Sequence, residues 1–498
     1  MKNKNHYDLV VIGSGAGLMV AQAAAASGRR CALIEAVKLG GTCLNRGCIP
    51  SKVLVHPADL VREMERARRT GVQMEIGSID WERLSQRVWN KINENEEIED
   101  SLSDLTSLDI IHGRARFSGE HDLVVDLNDS DEPLVLKADQ VVIAAGGRSF
   151  IPPVDGLDAA GYLTSETFFG ESYPKTPWKS LIIIGGGAIG CEFAHVFSAL
   201  GTRVTLVEMQ PRLAMTEEPE VSLLLQKQLE AGGVNVRTGF RALSAGRQDE
   251  QRQLTISGPD GQLETIAAEA IFVSSGIRSN ADQLNLDSCG LKPNPRGWIE
   301  TDEFLRTSVP HIYAIGDING RFQFRHKANY EADILIHNLF SESDQPRVAS
   351  YANVPWAIFT WPQIAHVGMT EAQAREQHGR VMVGRHYYSM TANGYAMGYE
   401  PGDADDGFVK MIADAEGTIL GVHIIGPQAA VLIQSFVYLM NAGYTCRAKP
   451  DQLPFSHQTG SRFCLQADSI KAIDQSMVIH PALSEVAAWV TGELEWVE

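Results

Sequence analysis

Residues 7–35 read YDLVVIGSGAGLMVAQAAAASGRRCALIE, and residues 180–208 read SLIIIGGGAIGCEFAHVFSALGTRVTLVE. Each stretch opens on an apolar β run, meets a cluster of glycines, continues at helical period and closes on a second apolar run ending in an acid. From the first glycine (Gly13, Gly185) to the closing acid (Glu35, Glu208) the spacing is near the ~20 residues of a dinucleotide-binding βαβ unit. A turn without Cβ atoms lets the amides at a helix N-terminus approach a pyrophosphate, and the acid accepts the ribose hydroxyls. One such turn is often only a tight connection. Two complete units predict an α/β chain with two Rossmann-like domains and two bound nucleotides. The first unit is irregular: its third glycine position is Leu18, with Gly17 one place early, so its helix and strand are expected to pack differently.

Two further stretches, VVIAAGGRSFIPPVDG (141–156) and IFVSSGIRSN (271–280), join a buried-strand run to glycines. They read as the points where the chain leaves the first nucleotide domain and returns to it. From about Tyr351 the pattern changes to apolar, β-rich runs with separate helices, which suggests a differently built α+β domain. The expected division is 1–152 and 153–280 for the nucleotide domains, 281–348 for a return to the first, and 349–498 for a C-terminal domain.

At 498 residues, 44% hydrophobic and 21% charged, the chain has the length of about three globular domains. The net charge of -19 repels phosphate backbones and anionic lipids, so neither nucleic acid nor a membrane surface is an expected partner. The basic start MKNKN imitates a signal peptide, but Asp8, Gly13, Gly15 and Gly17 interrupt the would-be apolar region. With no uninterrupted run of about 18 apolar residues elsewhere, the expected location is the cytoplasm. Seven scattered cysteines do not make a secreted disulfide scaffold, and one close pair without a second Cys/His pair at zinc spacing predicts no metal site.

That pair is Cys43 and Cys48, in GGTCLNRGCIPSK (40–52). Offsets of three to five on a helix bring thiols within bridging range, and the glycine and proline flanks suit a bent helix entry. A helix N-terminus lowers a thiol pKa and favours the nucleophilic thiolate. The bland alternative is two ordinary buried cysteines.

The wording GGTCLNRGCIPSK resembles the redox signature of the pyridine nucleotide-disulfide oxidoreductases, and among them that of the dihydrolipoamide dehydrogenases. The likeness extends over nearly the whole chain: both nucleotide units, AIGDING (314–320), FTWPQIAHVG (359–368) and IHPALSE (479–485). It implies FAD on the first unit, at Gly13, Gly15, Gly17, Glu35, Gly41, Thr42, Lys52, Ala115, Ala145, Gly146, Asp317 and His326. It implies NAD on the second, at Gly185, Gly187, Ile189, Gly190, Glu208 and Gly276. Glu208 disfavours a 2′-phosphate by its charge, with Arg212 nearby as the opposing residue. Family logic makes Cys48 the thiol against the flavin and Cys43 the thiol that exchanges with substrate sulfur. Lys52 and Glu192 then form a charged pair on the nicotinamide side. His480, oriented by Glu485, is the implied base, because a dithiol must lose protons and histidine titrates near neutrality. The resemblance gives this base to the cysteines of a partner subunit, hence a homodimer whose C-terminal domain is the interface.

Three features depart from the family. Val478 stands where a second histidine is usual, Arg46 lies between the cysteines where many relatives carry a small apolar residue, and 447–471 reads as an insertion. The expected function is oxidation of dihydrolipoamide, or of a lipoyl-carrier protein, with NAD. A reductase of a low-molecular-weight disulfide and a non-catalytic flavoprotein subunit are the alternatives. A chain ending VTGELEWVE lacks the C-terminal cysteines of mercuric reductase and of large thioredoxin reductase.

Overall fold

A computed structural model describes residues 4–343, 345–415, 418–442 and 476–480. The strand His6–Ile12 lies parallel to both Cys31–Glu35 and Leu134–Ile143. Leu108–Phe117 extends the sheet beside Cys31–Glu35 and then turns into an antiparallel meander through Asp122–Leu127 back to Leu134–Ile143. Far along the chain, Ile312–Ala314 returns to pair with Leu134–Ile143. Residues 31–35 and 180–184 are buried throughout, as strands covered on both faces must be. The covering helix Gly17–Ala26 turns Val20, Ala21, Ala24 and Ala25 inward. Those small side chains allow a close approach to the sheet.

The second nucleotide unit has its own parallel sheet, ordered Ala270–Val273, Ser180–Ile184, Arg203–Glu208 and Asn235–Thr238, with an antiparallel meander over residues 241–268. Behind it Phe168, fully buried, is ringed by Phe169, Phe193, Phe197 and Phe272 at centroid distances of 4.7–6.3 Å. The two glycine-rich crossovers meet as a short antiparallel pair, Gly147–Ser149 with Ile277–Ser279. The C-terminal part is a five-stranded antiparallel sheet in the order Trp356–Ile358, Gln363–Gly368, Ile419–Gly426, Phe408–Ala413, Met382–Tyr387. Helix Ala429–Ala442 packs on it through Ile433 and Val437. No described helix is long and apolar enough to cross a membrane.

Candidate active site

The two nucleotide turns repeat one geometry. Glu35 accepts the Ser14 amide at 3.0 Å on one oxygen and the Val37 amide at 3.0 Å on the other. Glu208 accepts Gly186 N at 2.6 Å and Gln210 N at 2.7 Å in the same way. Each acid is thus locked to its glycine turn with lone pairs left for a ribose. The backbone approach is too close for side chains. A Cβ on Gly13 would lie 2.4 Å from the Ala144 carbonyl oxygen, and one on Gly185 would lie 2.5 Å from that of Ser274. Gly17 explains the irregular first motif: it opens the helix, and a Cβ there would meet Val11 at 2.8 Å and Ala144 at 2.9 Å. It does the work of close helix-strand packing one position early. Gly190 does the same in the second unit, where a Cβ would lie against the Gly185 carbonyl.

The cysteines do not share one helix. Cys43 is in Gly41–Arg46, and Cys48 is the first residue of Cys48–Ala67. The break is Gly47, where a Cβ would sit 2.9 Å from the Thr42 carbonyl oxygen. Cys48 therefore stands at the amide-rich end of a 20-residue helix, the end that favours a thiolate. Both thiols are free and hydrogen-bond to each other. The Cys43 hydrogen bond, reinforced by the charges of Lys52 and His480 and opposed by burial, brings Cys48 down to about 7. Cys43 is pushed well up by that same hydrogen bond, by burial and by the Cys48 charge, against Arg325 and Lys52. The pair is polarised: Cys48 carries the negative charge and Cys43 keeps the proton.

His480 Nε2 lies 3.4 Å from Cys43 Sγ. Helix Ala429–Ala442 holds the segment that carries it: Gln434 accepts the Ile479 amide at 3.2 Å and donates to the Met477 carbonyl at 3.3 Å, while Ile479 is buried beside Ile433 and Val437. Within the described chain His480 lies beside Cys43, with Gln434 and the apolar helix face anchoring residues 477–479 next to it. Glu485 and the apparent insertion 447–471 lie outside the described residues.

Lys52 Nζ meets Glu192 Oε2 at 2.8 Å, both largely shielded from solvent. Glu192 Oε1 accepts the Phe359 amide at 2.9 Å, and Lys52 lies 4.4 Å from the Phe359 ring centroid. The helices that carry the pair are fastened by His195 to Asp59 at 2.8 Å and by Arg62 to Ser198 at 2.9 Å. A half-buried ion pair with its remaining carboxylate oxygen satisfied is rigid, and it presents an ammonium at a fixed point.

These groups line one cavity of about 1500 Å³. Cys43, Cys48, Lys52, Glu192 and His480 share it with Gly13, Gly15, Glu35, Gly41, Thr42, Ala115, Ala145, Gly146, Asp317 and His326 from the first set. Gly185, Gly187, Ile189, Glu208 and Gly276 line it from the second. Among the described predicted residues, Gly17 and Gly190 stand behind its wall. Burial pushes the Asp317 carboxyl up to about 6, against the pull of Lys327. Burial brings His326 down to about 4, and its Nε2 donates to the Pro355 carbonyl at 2.7 Å, so it is a neutral wall rather than a second base. Arg46 lines the cavity too, with its Nε buried and without a hydrogen-bond partner. Sequence reading missed Arg325, whose charge acts on Cys43, and Gln434, which seats the segment carrying His480; neither falls in a motif. The glycine cradle and twin carboxylates fit two dinucleotides.

Residues 7–332 match the family model described as pyridine nucleotide-disulphide oxidoreductase, and residues 354–462 match the dimerisation domain of the same family. The dihydrolipoyl dehydrogenase of Bacillus subtilis (strain 168) is 35% identical over 88% of this chain and 93% of its own length. That of Zymomonas mobilis is 32% identical over 87% and 91%. Among solved structures, the HOCl-induced flavoprotein disulfide reductase RclA from Escherichia coli has a TM-score of 0.75 at 28% identity, covering 91% of this chain and 97% of that one. Its Cu(II) complex has a TM-score of 0.77 at 26% identity, covering 99% and 100%. An oxidoreductase acting on sulfur groups with FAD and NAD(H) follows from these matches. The polarised thiols, the paired nucleotide turns and the length of the likeness agree: the chain belongs to the pyridine nucleotide-disulphide oxidoreductases.

Proposed function

We propose that the enzyme oxidises a dihydrolipoyl dithiol with NAD. The observation that carries this reading is the polarised Cys43–Cys48 pair with His480 at 3.4 Å from Cys43. Bound FAD supplies the two-electron link between nicotinamide and thiols. In the proposed cycle His480 takes a proton from the incoming dithiol, whose thiolate attacks Cys43 of the oxidised pair. The Cys43–Cys48 bond breaks, a mixed disulfide forms, and the second substrate thiol displaces Cys43. The substrate leaves as its disulfide, and the enzyme holds two electrons as the dithiol. Lys52 is the fixed cation near the thiols, and Glu192 positions it. Glu35 and Asp317 belong to the FAD side, and Glu208 to the NAD side. The dimerisation-domain match supports a homodimer, and the free cysteines suit a reducing cytoplasm.

Arg46 favours a second reading, reduction of an acidic disulfide, since it brings a guanidinium to the cavity lining beside the cysteines, a group that pairs with carboxylates. The relative named a disulfide reductase supports the same direction. One experiment separates the two: steady-state turnover of dihydrolipoamide with NAD, beside a panel of disulfides with NADH, on wild type and His480→Gln. Efficient dihydrolipoamide oxidation, lowered about 100-fold or more in the variant, is expected. No dihydrolipoamide turnover alongside fast reduction of an acidic disulfide sinks the lipoyl reading.

A further inference from the structure

Glu217, His366 and His423 come together away from the cysteines, between the second nucleotide unit and the C-terminal sheet. His366 on Gln363–Gly368 is directly opposite His423 on Ile419–Gly426, their rings 4.9 Å apart. Glu217 stands just ahead of helix Pro219–Ala231. All three are buried, and one ligating atom from each lies within 4.8 Å of the others.

Their hydrogen bonds set where the lone pairs are. His423 Nε2 donates to the Met369 carbonyl at 2.9 Å, which leaves Nδ1 as its lone-pair nitrogen. That Nδ1 is buried without a partner on a side chain with no exposure, which in a protein interior calls for a missing donor or a cation. Glu217 receives Trp356 Nε1 at 2.6 Å and His366 Nδ1 at 2.9 Å. The nearby buried ammonium of Lys410 is taken instead by Glu218, Glu220 and Glu371 at 2.8, 2.9 and 2.8 Å. A second His-containing group, Glu120, His121 and His311, differs: it is partly exposed, and His121 Nδ1 and His311 Nε2 already face carbonyls.

We propose that Glu217, His366 and His423 bind a structural zinc ion, which ties the segment leading into helix Pro219–Ala231 to the central strands of the C-terminal sheet. Two imidazoles and a carboxylate are a borderline donor set suited to Zn(II). Zn–N and Zn–O bonds form in place of the hydrogen bond between His366 and Glu217, and the displaced proton moves to the other ring nitrogen of His366. Around zinc the ligating atoms stand ~3.4 Å apart, so the His366–Glu217 pair opens slightly from 2.9 Å while the remaining separations, all within 4.8 Å, close by small ring rotations. Trp356 Nε1 then acts as the outer hydrogen bond that orients the ligating carboxylate. The three ligands are scattered over more than 200 residues, which is why no spacing motif announces them.

The test uses metal-stripped holoenzyme with its cysteine pair oxidised, so that Cys43 and Cys48 are unavailable, titrated with Zn(II) alone. Expected are one zinc per chain, a zinc-edge absorption spectrum of nitrogen and oxygen scatterers without sulfur, and affinity at least 100-fold weaker in both His366→Gln and His423→Gln. Flavin content is measured in parallel. Should the variants fail to load flavin, the wild-type spectrum decides: imidazole and oxygen scattering supports the site. Sulfur in the zinc shell, unchanged zinc affinity in folded variants, or no zinc bound overturns it.

Discussion

Cys48 shows how a single residue is tuned by its position. The helix beginning at Cys48 supplies free amides, Cys43 supplies a hydrogen bond, and Lys52 and His480 supply positive charge. Burial works against all of them and loses. A thiol whose pKa is lowered to about 7 is thiolate above that pH and thiol below it. Holoenzyme reduced by one equivalent of dithiol should therefore show a long-wavelength thiolate band that grows as pH rises through about 7, and Lys52→Met should move the midpoint upward. A band of constant height from about pH 5.5 to 8.5 contradicts this tuning. The identity of this thiol pair was legible in 40–52 alone. Its polarity was not, because Arg325 and His480, two of the charges that set it, arrive from distant segments.

At the level of elements, both nucleotide turns and their closing acids could be read from glycine spacing, since the geometry leaves little choice of residue. The misplaced third glycine of the first unit looked like a defect, yet Gly17 meets the strand through Val11 and Ala144. What sequence could not give was the break at Gly47, because the Thr42 carbonyl that demands a glycine there is a tertiary neighbour only after the turn has formed. The two turns can be separated by experiment. Gly190→Ala drives a methyl into the Gly185 carbonyl and should weaken NADH binding at least 10-fold while flavin content stays normal. Gly17→Ala should do the reverse, giving flavin-poor protein. Rapid-mixing reduction by NADH, with flavin quantified by absorbance, checks both; equal flavin loss in the two variants would show that the units do not act separately.

Across the whole molecule, two nucleotide units and a C-terminal sheet contribute to one cavity, and they contribute different chemistry. In the proposed reading the side with His480 and Cys43 carries proton and sulfur transfer, and the Lys52–Glu192–Phe359 cluster is fastened between the two helices that face each other across the units. In the proposed roles the first product leaves before the second substrate must enter, because the electrons it gives up are kept in the chain as the Cys43 and Cys48 thiols. That is double-displacement chemistry, whose kinetic mark is a set of parallel double-reciprocal lines. Initial rates of dihydrolipoamide oxidation at several fixed NAD concentrations should give parallel lines, and enzyme reduced with excess dithiol and freed of it by gel filtration should form about one NADH per active site on adding NAD. Lines that intersect, together with no NADH from the isolated reduced enzyme, would mean that both substrates must be bound at once, and the thiol pair would lose its place as the store of the electrons.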